Sequence, residues 1–288
     1  MKESLILDFD RSVLPLAGVR TVALNDWQGA IRYGCSLAEL ERLETALNAQ
    51  TDAEPRLTFL GSGDFHHVSY LLIKQLRFTG PFQVVVFDNH PDNMRFPWGI
   101  HCGSWVHHVC RLPFVSRVTV IGITSDDIRG YHFFENHLRS LYTGKLSYLC
   151  FSPVPTLARR LGFHGIKDCR DEQTRLPERI QSDVLDIDSH PIYLSVDKDV
   201  LSPRVVRTNW DQGILTEESL TDAVRFLKPQ LLAADVTGEI SFHPYIQLWK
   251  KALSRLDGQS SLPPPDLDLH QRRHQTLNEK LIAILRPD

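Results

Sequence analysis

Short runs of apolar and β-branched residues recur along the chain, separated by stretches in which apolar positions return every three to four residues. The runs cover 5–9, 21–24, 57–60, 84–87, 118–123, 146–151, 192–196 and 231–236. Their near-continuous apolarity is that of strands buried on both faces. Such strands alternating with helices predict an α/β fold, a three-layer α/β/α arrangement around a mostly parallel sheet. Between the runs, Ser36 and Glu39 form a capping box for a helix reaching to about Asn48, with Leu37, Leu40, Leu43 and Leu47 on one stripe. Thr216 caps another helix, and Glu217 and Glu218 suit the positive end of its dipole.

The stretch 257–268, with Pro263, Pro264 and Pro265, reads as an extended linker. It divides the chain into a single α/β domain over 1–256 and a C-terminal helix over 269–288. Basic and apolar residues mix along that helix. Packing back onto the domain and pairing in a homo-oligomer both remain open.

Composition narrows the partners. In 288 residues, 42% hydrophobic and 23% charged, the chain has the balance of an ordinary globular protein. A net charge of −3, without a face-length run of Lys and Arg, argues against nucleic acid. The five cysteines (Cys35, Cys102, Cys110, Cys150 and Cys169) never form a CxxC pair and read as reduced thiols. Glu3, Asp8 and Asp10 stand where a secretory signal needs an apolar stretch, and no uncharged span has bilayer length. A cytoplasmic location, with no membrane association, is the expectation.

Four segments at strand ends carry the candidate chemistry, where open α/β sheets place their ligands. They are Gly61-Ser62-Gly63-Asp64-Phe65-His66-His67, Asp88-Asn89-His90-Pro91-Asp92, His101-Cys102-Gly103-Ser104, and Ser195-Val196-Asp197-Lys198-Asp199, the last followed by Asp235-Val236-Thr237-Gly238-Glu239. In DxHxD and DxD spacing, every second residue of an extended strand end points the same way, so these side chains converge. Carboxylates and imidazoles gathered at one spot repel unless cations lie between them. Hard oxygen donors with one or two imidazoles suit Mn²⁺.

In this order the motifs resemble those of the arginase, agmatinase and formiminoglutamase (ureohydrolase) family: GGDHS, DAHxD, a later His-Gly and SxDxDxxDP. The resemblance covers roughly 57–239 and implies an arginase-deacetylase-like fold with two divalent metal ions, Mn²⁺ by the family pattern, whose ligands are Asp88, His90, Asp92, Asp197 and Asp199, the last two bridging. It implies a C–N hydrolase acting on a guanidino, formimino or amide small molecule through a metal-bridging hydroxide, with His101 as proton shuttle. Asp92, His101 and Glu239 are the catalytic candidates; Glu239, His101 and Trp98 are the substrate contacts. Asp64 is placed to orient the first ligand.

The departures from the family pattern limit the reading. An extra residue, Phe65, separates Asp64 from the histidines; His66 needs only that insertion and is preferred as ligand, with His67 as the alternative. The glutamate that grips guanidinium in the family falls at Gly238, and Glu239 replaces it only if Gly238 lets the strand bulge. The segment between Asp92 and His101 is short and lacks the residues that hold the amino-acid head of arginine, so L-arginine is not the expected substrate. Arg95, Phe96 and Trp98 are its candidate contacts instead.

Bland readings apply elsewhere. Asp126-Asp127 and Asp186-Ile187-Asp188 read as solvated turns. Cys102 reads as a buried inert thiol, and His107, His108, His132 and His137 as helix-surface residues. Two other functions compete. One is a non-catalytic metal-binding or regulatory protein of the same fold, and the other a two-metal phosphoesterase, which needs a later Gly-Asn-His segment that is missing. A deacetylase-like single-zinc site is disfavoured by the complete second ligand set.

Overall fold

A computed structural model describes residues 3–51, 56–154, 156–170, 175–184, 190–259 and 263–286. In chain order its strands are β1 (Ser4–Asp8), β2 (Arg20–Ala23), β3 (Gly34–Cys35), β4 (Leu57–Ser62), β5 (Phe82–Phe87), β6 (Ile100–His101), β7 (Val115–Ile123), β8 (Leu146–Cys150), β9 (Ile166–Asp168), β10 (Ile192–Asp197) and β11 (Leu231–Glu239). Nine of them form one sheet in the order β2-β1-β4-β11-β10-β5-β7-β8-β9, every neighbouring pair parallel. β3 and β6 pair separately as a short antiparallel ribbon.

All eight apolar runs are strands of this sheet. β4, β5 and β10 are buried along their whole length. Their alternate side chains feed opposite faces: Val84 and Val86 enter one core, Val85 and Phe87 the other. Helices close both layers. Ser36 makes the full capping box with Glu39 at the start of Leu37–Asn48, burying Leu40, Leu43 and Leu47, while Leu37 stays exposed. The Thr216 side chain accepts from Ser219 N at the start of Glu217–Leu227.

The C-terminal helix, Leu267–Leu285, buries Leu277, Leu281 and Ile282 in the same core as Leu220 and Val224 of Glu217–Leu227. Its mixed composition is thereby explained, because one stripe packs on the domain and the rest faces outward. Part of the proline-rich stretch, 260–262, and the Asp186–Asp188 pair lie outside the described residues. No helix of the described residues is long and apolar enough to cross a membrane.

What the periodicity missed is short. β9 has three residues at the sheet edge, half-buried, and β3 and β6 have two each. Strands this brief show no alternation to read. The glycine turn continues as a 3₁₀ turn, Gly63–Val68, running into an α-helix, Ser69–Gln75.

Candidate metal centre

The candidate residues stand at the carboxyl ends of β4, β10 and β5, with β11 between the first two. After β4 the chain enters the 3₁₀ turn, where Ser62 Oγ accepts from Asp64 N at 3.3 Å. Gly63 lets the turn approach closely, since a Cβ there would lie 3.1 Å from Asp197 Oδ2 and press on that carboxylate. At about three residues per turn, neighbouring side chains diverge by roughly a third of a circle. His66 therefore faces the cleft, while His67 is buried elsewhere and lines neither cleft nor cluster.

The ring of His66 is held from behind. Ser195 Oγ donates to Asp235 Oδ1 at 2.7 Å, so it accepts from His66 Nε2 at 2.9 Å. Tyr193 donates its hydroxyl to the other oxygen of Asp235. Nδ1 of His66 is left facing Asp92 Oδ2 at 3.0 Å, Asp88 Oδ2 at 3.2 Å and Asp197 Oδ2 at 3.4 Å. Asp92 sits in the left-handed backbone region (φ +45°), and its Oδ2 accepts from Trp105 Nε1 at 2.7 Å. A non-glycine residue is costly in that conformation, and here surrounding contacts hold it.

A second group abuts the first. His90 Nδ1 lies 2.9 Å from Asp199 Oδ2 and 3.5 Å from Asp88 Oδ1, while its Nε2 donates to Asp211 Oδ1 at 2.7 Å. Asn89, which replaces the alanine of DAHxD, donates to Asp211 Oδ2 at 3.0 Å and accepts from Thr124 N at 3.1 Å. The substitution ties the Asp211 segment to the strand end. His66, Asp88 and Asp197 form one group with a possible ligand atom each within 4.8 Å of the others, and Asp88, His90 and Asp199 form the next. The shared residue is Asp88. Asp197 falls in one group and Asp199 in the other, so the groups do not divide as the expected pair of bridging residues would.

The electrostatics are those of a crowded, dehydrated cluster. Burial and the neighbouring Asp88 carboxylate push Asp92 up to about 7, and the same two causes push Asp199 up to about 7. Burial and Asp199 hold Asp197 well above the carboxylate range. Burial opposes charge on His66 and His90, but hydrogen bonds to Asp88 and Asp92, and the charge of Asp199, outweigh it and raise both. Without cations, the cluster shares protons. Asp88 Oδ2, fully buried, has only His66 Nδ1 at 3.2 Å beside it, and no hydrogen-bond partner once that nitrogen gives up its proton. Hard oxygens, two imidazole nitrogens freed for ligation by bonds at their far side, and an orphaned carboxylate oxygen fit a pair of divalent cations.

The cleft above encloses about 480 Å³. His101 lines it and accepts from Gly103 N at 2.8 Å through Nδ1, so its proton is on Nε2. Burial lowers its pKa to about 3, and it stays neutral. Cys102 also lines the cleft, but burial and the Asp64 carboxylate raise its pKa, so it stays a thiol. Asp126 and Asp127, read from sequence as a solvated turn, line the cleft, as does His132. His137 is instead stacked on His107 at 3.4 Å between centroids.

Four expectations are corrected, for Glu239, Trp98, Arg95 and Asp64. Gly238 (φ +87°) does bulge β11, with register shifts on both sides of Thr237, yet Glu239 turns away from the cleft. It is taken by Lys198 and Asn278, because an isolated carboxylate at that depth needs donors. Trp98 is 67% exposed and stands outside the cleft, its edge against Phe96, whose own edge meets His101 at 4.4 Å. Arg95 is exposed and does not line the cleft either. Asp64 does not orient His66. It binds Arg32 Nε at 2.7 Å, Gln259 Nε2 at 2.6 Å and Trp210 Nε1 at 3.1 Å, closing the cleft wall.

Ser195, Asp235 and Asp211 were not assigned roles by sequence reasoning. Ser195 and Asp235 lay within quoted motifs and Asp211 did not, but the partners of all three come from distant segments.

Fold and site together define a protein of arginase-like α/β fold with a two-group Asp/His cluster. Solved structures with this fold include the arginase from Bacillus caldovelox, 16% identical, with a TM-score of 0.59 over 100% of this chain and 99% of that one. Proclavaminate amidino hydrolase from Streptomyces clavuligerus (15%, TM-score 0.55, 99% and 93%) and formimidoylglutamase from Bacillus subtilis (14%, TM-score 0.54, 100% and 89%) share it. An uncharacterized protein of Thermotoga maritima is 28% identical over 210 residues, 73% of this chain and 67% of its own length. No protein-family model matches the chain.

Proposed function

We propose that the chain is a binuclear-metal hydrolase of the ureohydrolase type, cleaving a C–N bond of a guanidino, formimino or amide compound. The carrying observation is that Asp88 belongs to both donor groups, with its oxygens turned to His66 and to His90. The names of the solved relatives, an arginase, an amidino hydrolase and a formimidoylglutamase, support the reaction class. His66, Asp88, Asp92 and Asp197 would hold one ion, and Asp88, His90 and Asp199 the other. Bound divalent cations supply Lewis acidity and lower the pKa of water toward neutrality, and Mn²⁺ suits these ligands.

The chain's own residues do the rest. Ser195 and Asp211 fix the tautomers of His66 and His90. His101, neutral with its proton on Nε2, donates a hydrogen bond into the cleft. A proton-accepting role for it requires the bound state to raise its basicity. Among the described lining residues there is no Lys or Arg to meet a carboxylate, whereas Asp126, Asp127, Asp211 and Asp257 favour a cationic group. L-arginine, with its α-carboxylate, is therefore a poor fit.

One observation favours a second reading. With Glu239 committed to the interior, the guanidinium grip of the family is missing, as a metal-binding protein without turnover would have it. Metal stoichiometry together with turnover of Mn²⁺-loaded protein on guanidino, formimino and amide compounds separates the two. Release of urea or another small amine-bearing product from any of them establishes the hydrolase. Inactivity on all of them with both ions bound establishes the second reading.

A further inference from the structure

Beneath the cluster lies a buried polar assembly that the reaction does not use. Lys198 stands between Asp197 and Asp199 in sequence and is fully buried. Its ammonium donates to Glu239 Oε1 and faces His274 Nδ1 at 3.4 Å. Asn278 Nδ2 donates to the same Glu239 oxygen at 2.8 Å, and His274 Nδ1 lies 3.2 Å from the other. At its far side, His274 Nε2 donates to the carbonyl of Arg207 at 2.7 Å, four residues before Asp211, the partner of His90. His274 and Asn278 are on one face of the helix Leu267–Leu285, which lines none of the cleft.

The C-terminal helix therefore grips two loops at once: the turn Lys198–Val200, flanked by Asp197 and containing Asp199, and the loop that brings Asp211 to His90. Backbone closeness makes the grip stiff. A Cβ on Gly238 would fall 2.6 Å from Lys198 N and against Asp197 Oδ1, so β11 has no room to slide past the turn. A buried Lys–Glu pair is poor as a source of stability, since apolar residues of similar volume do as well or better, but it imposes one geometry. In this position, that geometry is the spacing of two carboxylates that converge on the cluster.

We propose that the C-terminal helix is a working part of the metal centre: His274 and Asn278 are positioning residues that, through Lys198 and Glu239, set the carboxylates of Asp197 and Asp199. The proposal rests on the two-metal reading. It makes metal binding and helix docking reciprocal, because whatever tightens the loop for the ion tightens it for the helix by the same factor.

The test uses the full chain and Mn²⁺ as probe. In the wild type, backbone amides of 267–285 exchange hydrogen more slowly with Mn²⁺ than with a chelator, while those of Leu37–Asn48 do not change. Asn278→Leu weakens Mn²⁺ binding by about tenfold or more, the scale for lost support of a ligand. Lys198→Met combined with Glu239→Leu keeps or raises the melting temperature of the metal-free protein and still weakens Mn²⁺ to a similar degree, which a merely structural role would not do. Unchanged Mn²⁺ affinity in the folded variants overturns the inference. If the variants do not fold, the wild-type exchange decides, and exchange over 267–285 that ignores Mn²⁺ overturns it. Either result leaves the two-metal reading intact. A wild type that binds no Mn²⁺ overturns both.

Discussion

Ser195 Oγ stands 2.9 Å from His66 Nε2, although the two residues are 129 positions apart. Because the serine proton is given to Asp235, the imidazole proton must lie on Nε2, and Nδ1 is free for a cation. Ser195→Ala removes this acceptor without touching a ligand. Titration calorimetry should show Mn²⁺ binding weakened by roughly 10-fold or more; wild-type affinity would mean that the serine does not set the tautomer.

Asp88 is predicted to be the residue whose loss empties both positions. Elemental analysis should give about two Mn²⁺ per wild-type chain and none in Asp88→Ala, whereas Asp199→Ala should keep a partial load. Since ions bind the folded state, chelation should lower the wild-type melting temperature and leave that of Asp88→Ala unmoved. Full occupancy in Asp88→Ala would refute the shared position.

The two adjacent histidines should differ. His66→Ala should lose most of the bound metal, while His67→Ala, outside the cluster, should bind Mn²⁺ with the wild-type stoichiometry and show its effect in thermal stability alone. The opposite ranking would shift the ligand by one position.

The Asp/His cluster's own contribution to the stability of the metal-free protein should fall as pH rises. Asp92 and Asp199, pushed up to about 7, bind protons in the folded state that the unfolded chain releases near pH 4. Their contribution is present below the unfolded value and is lost as pH climbs through about 7. His66 and His90, also raised, act in the same direction. Buried neutral histidines such as His67 and His101 act the opposite way, so the cluster is read by difference: between about pH 6 and about pH 8 the chelated wild type should lose melting temperature relative to chelated Asp92→Asn combined with Asp199→Asn. Mn²⁺ must displace these protons, so its affinity should rise over the same interval. A wild type and double variant whose chelated melting temperatures change in parallel with pH would contradict the shared-proton cluster.

The sheet was legible in the sequence because parallel strands buried on both faces must be apolar throughout, and eight such runs stand out between capped helices. The site's address was legible because Asp88, His90, Asp92, Asp197 and Asp199 follow directly on two strands, but the extended spacing did not bring them together: Asp92 is left-handed and Lys198–Val200 is a 3₁₀ turn, so the turns made the convergence. Tertiary structure decided everything that depends on partners far along the chain. The 3₁₀ turn, not the motif, turned His66 rather than His67 into the cleft. Gly238 made the bulge foreseen for Glu239, but the direction of that carboxylate followed from Lys198 on the neighbouring strand end and from Asn278 on the C-terminal helix. Asp211, 121 positions from His90, had no local pattern to mark it. Side-chain direction within a strand is a property of the local backbone, whereas the partner of a buried charge is chosen by whatever donor the packed fold brings within reach.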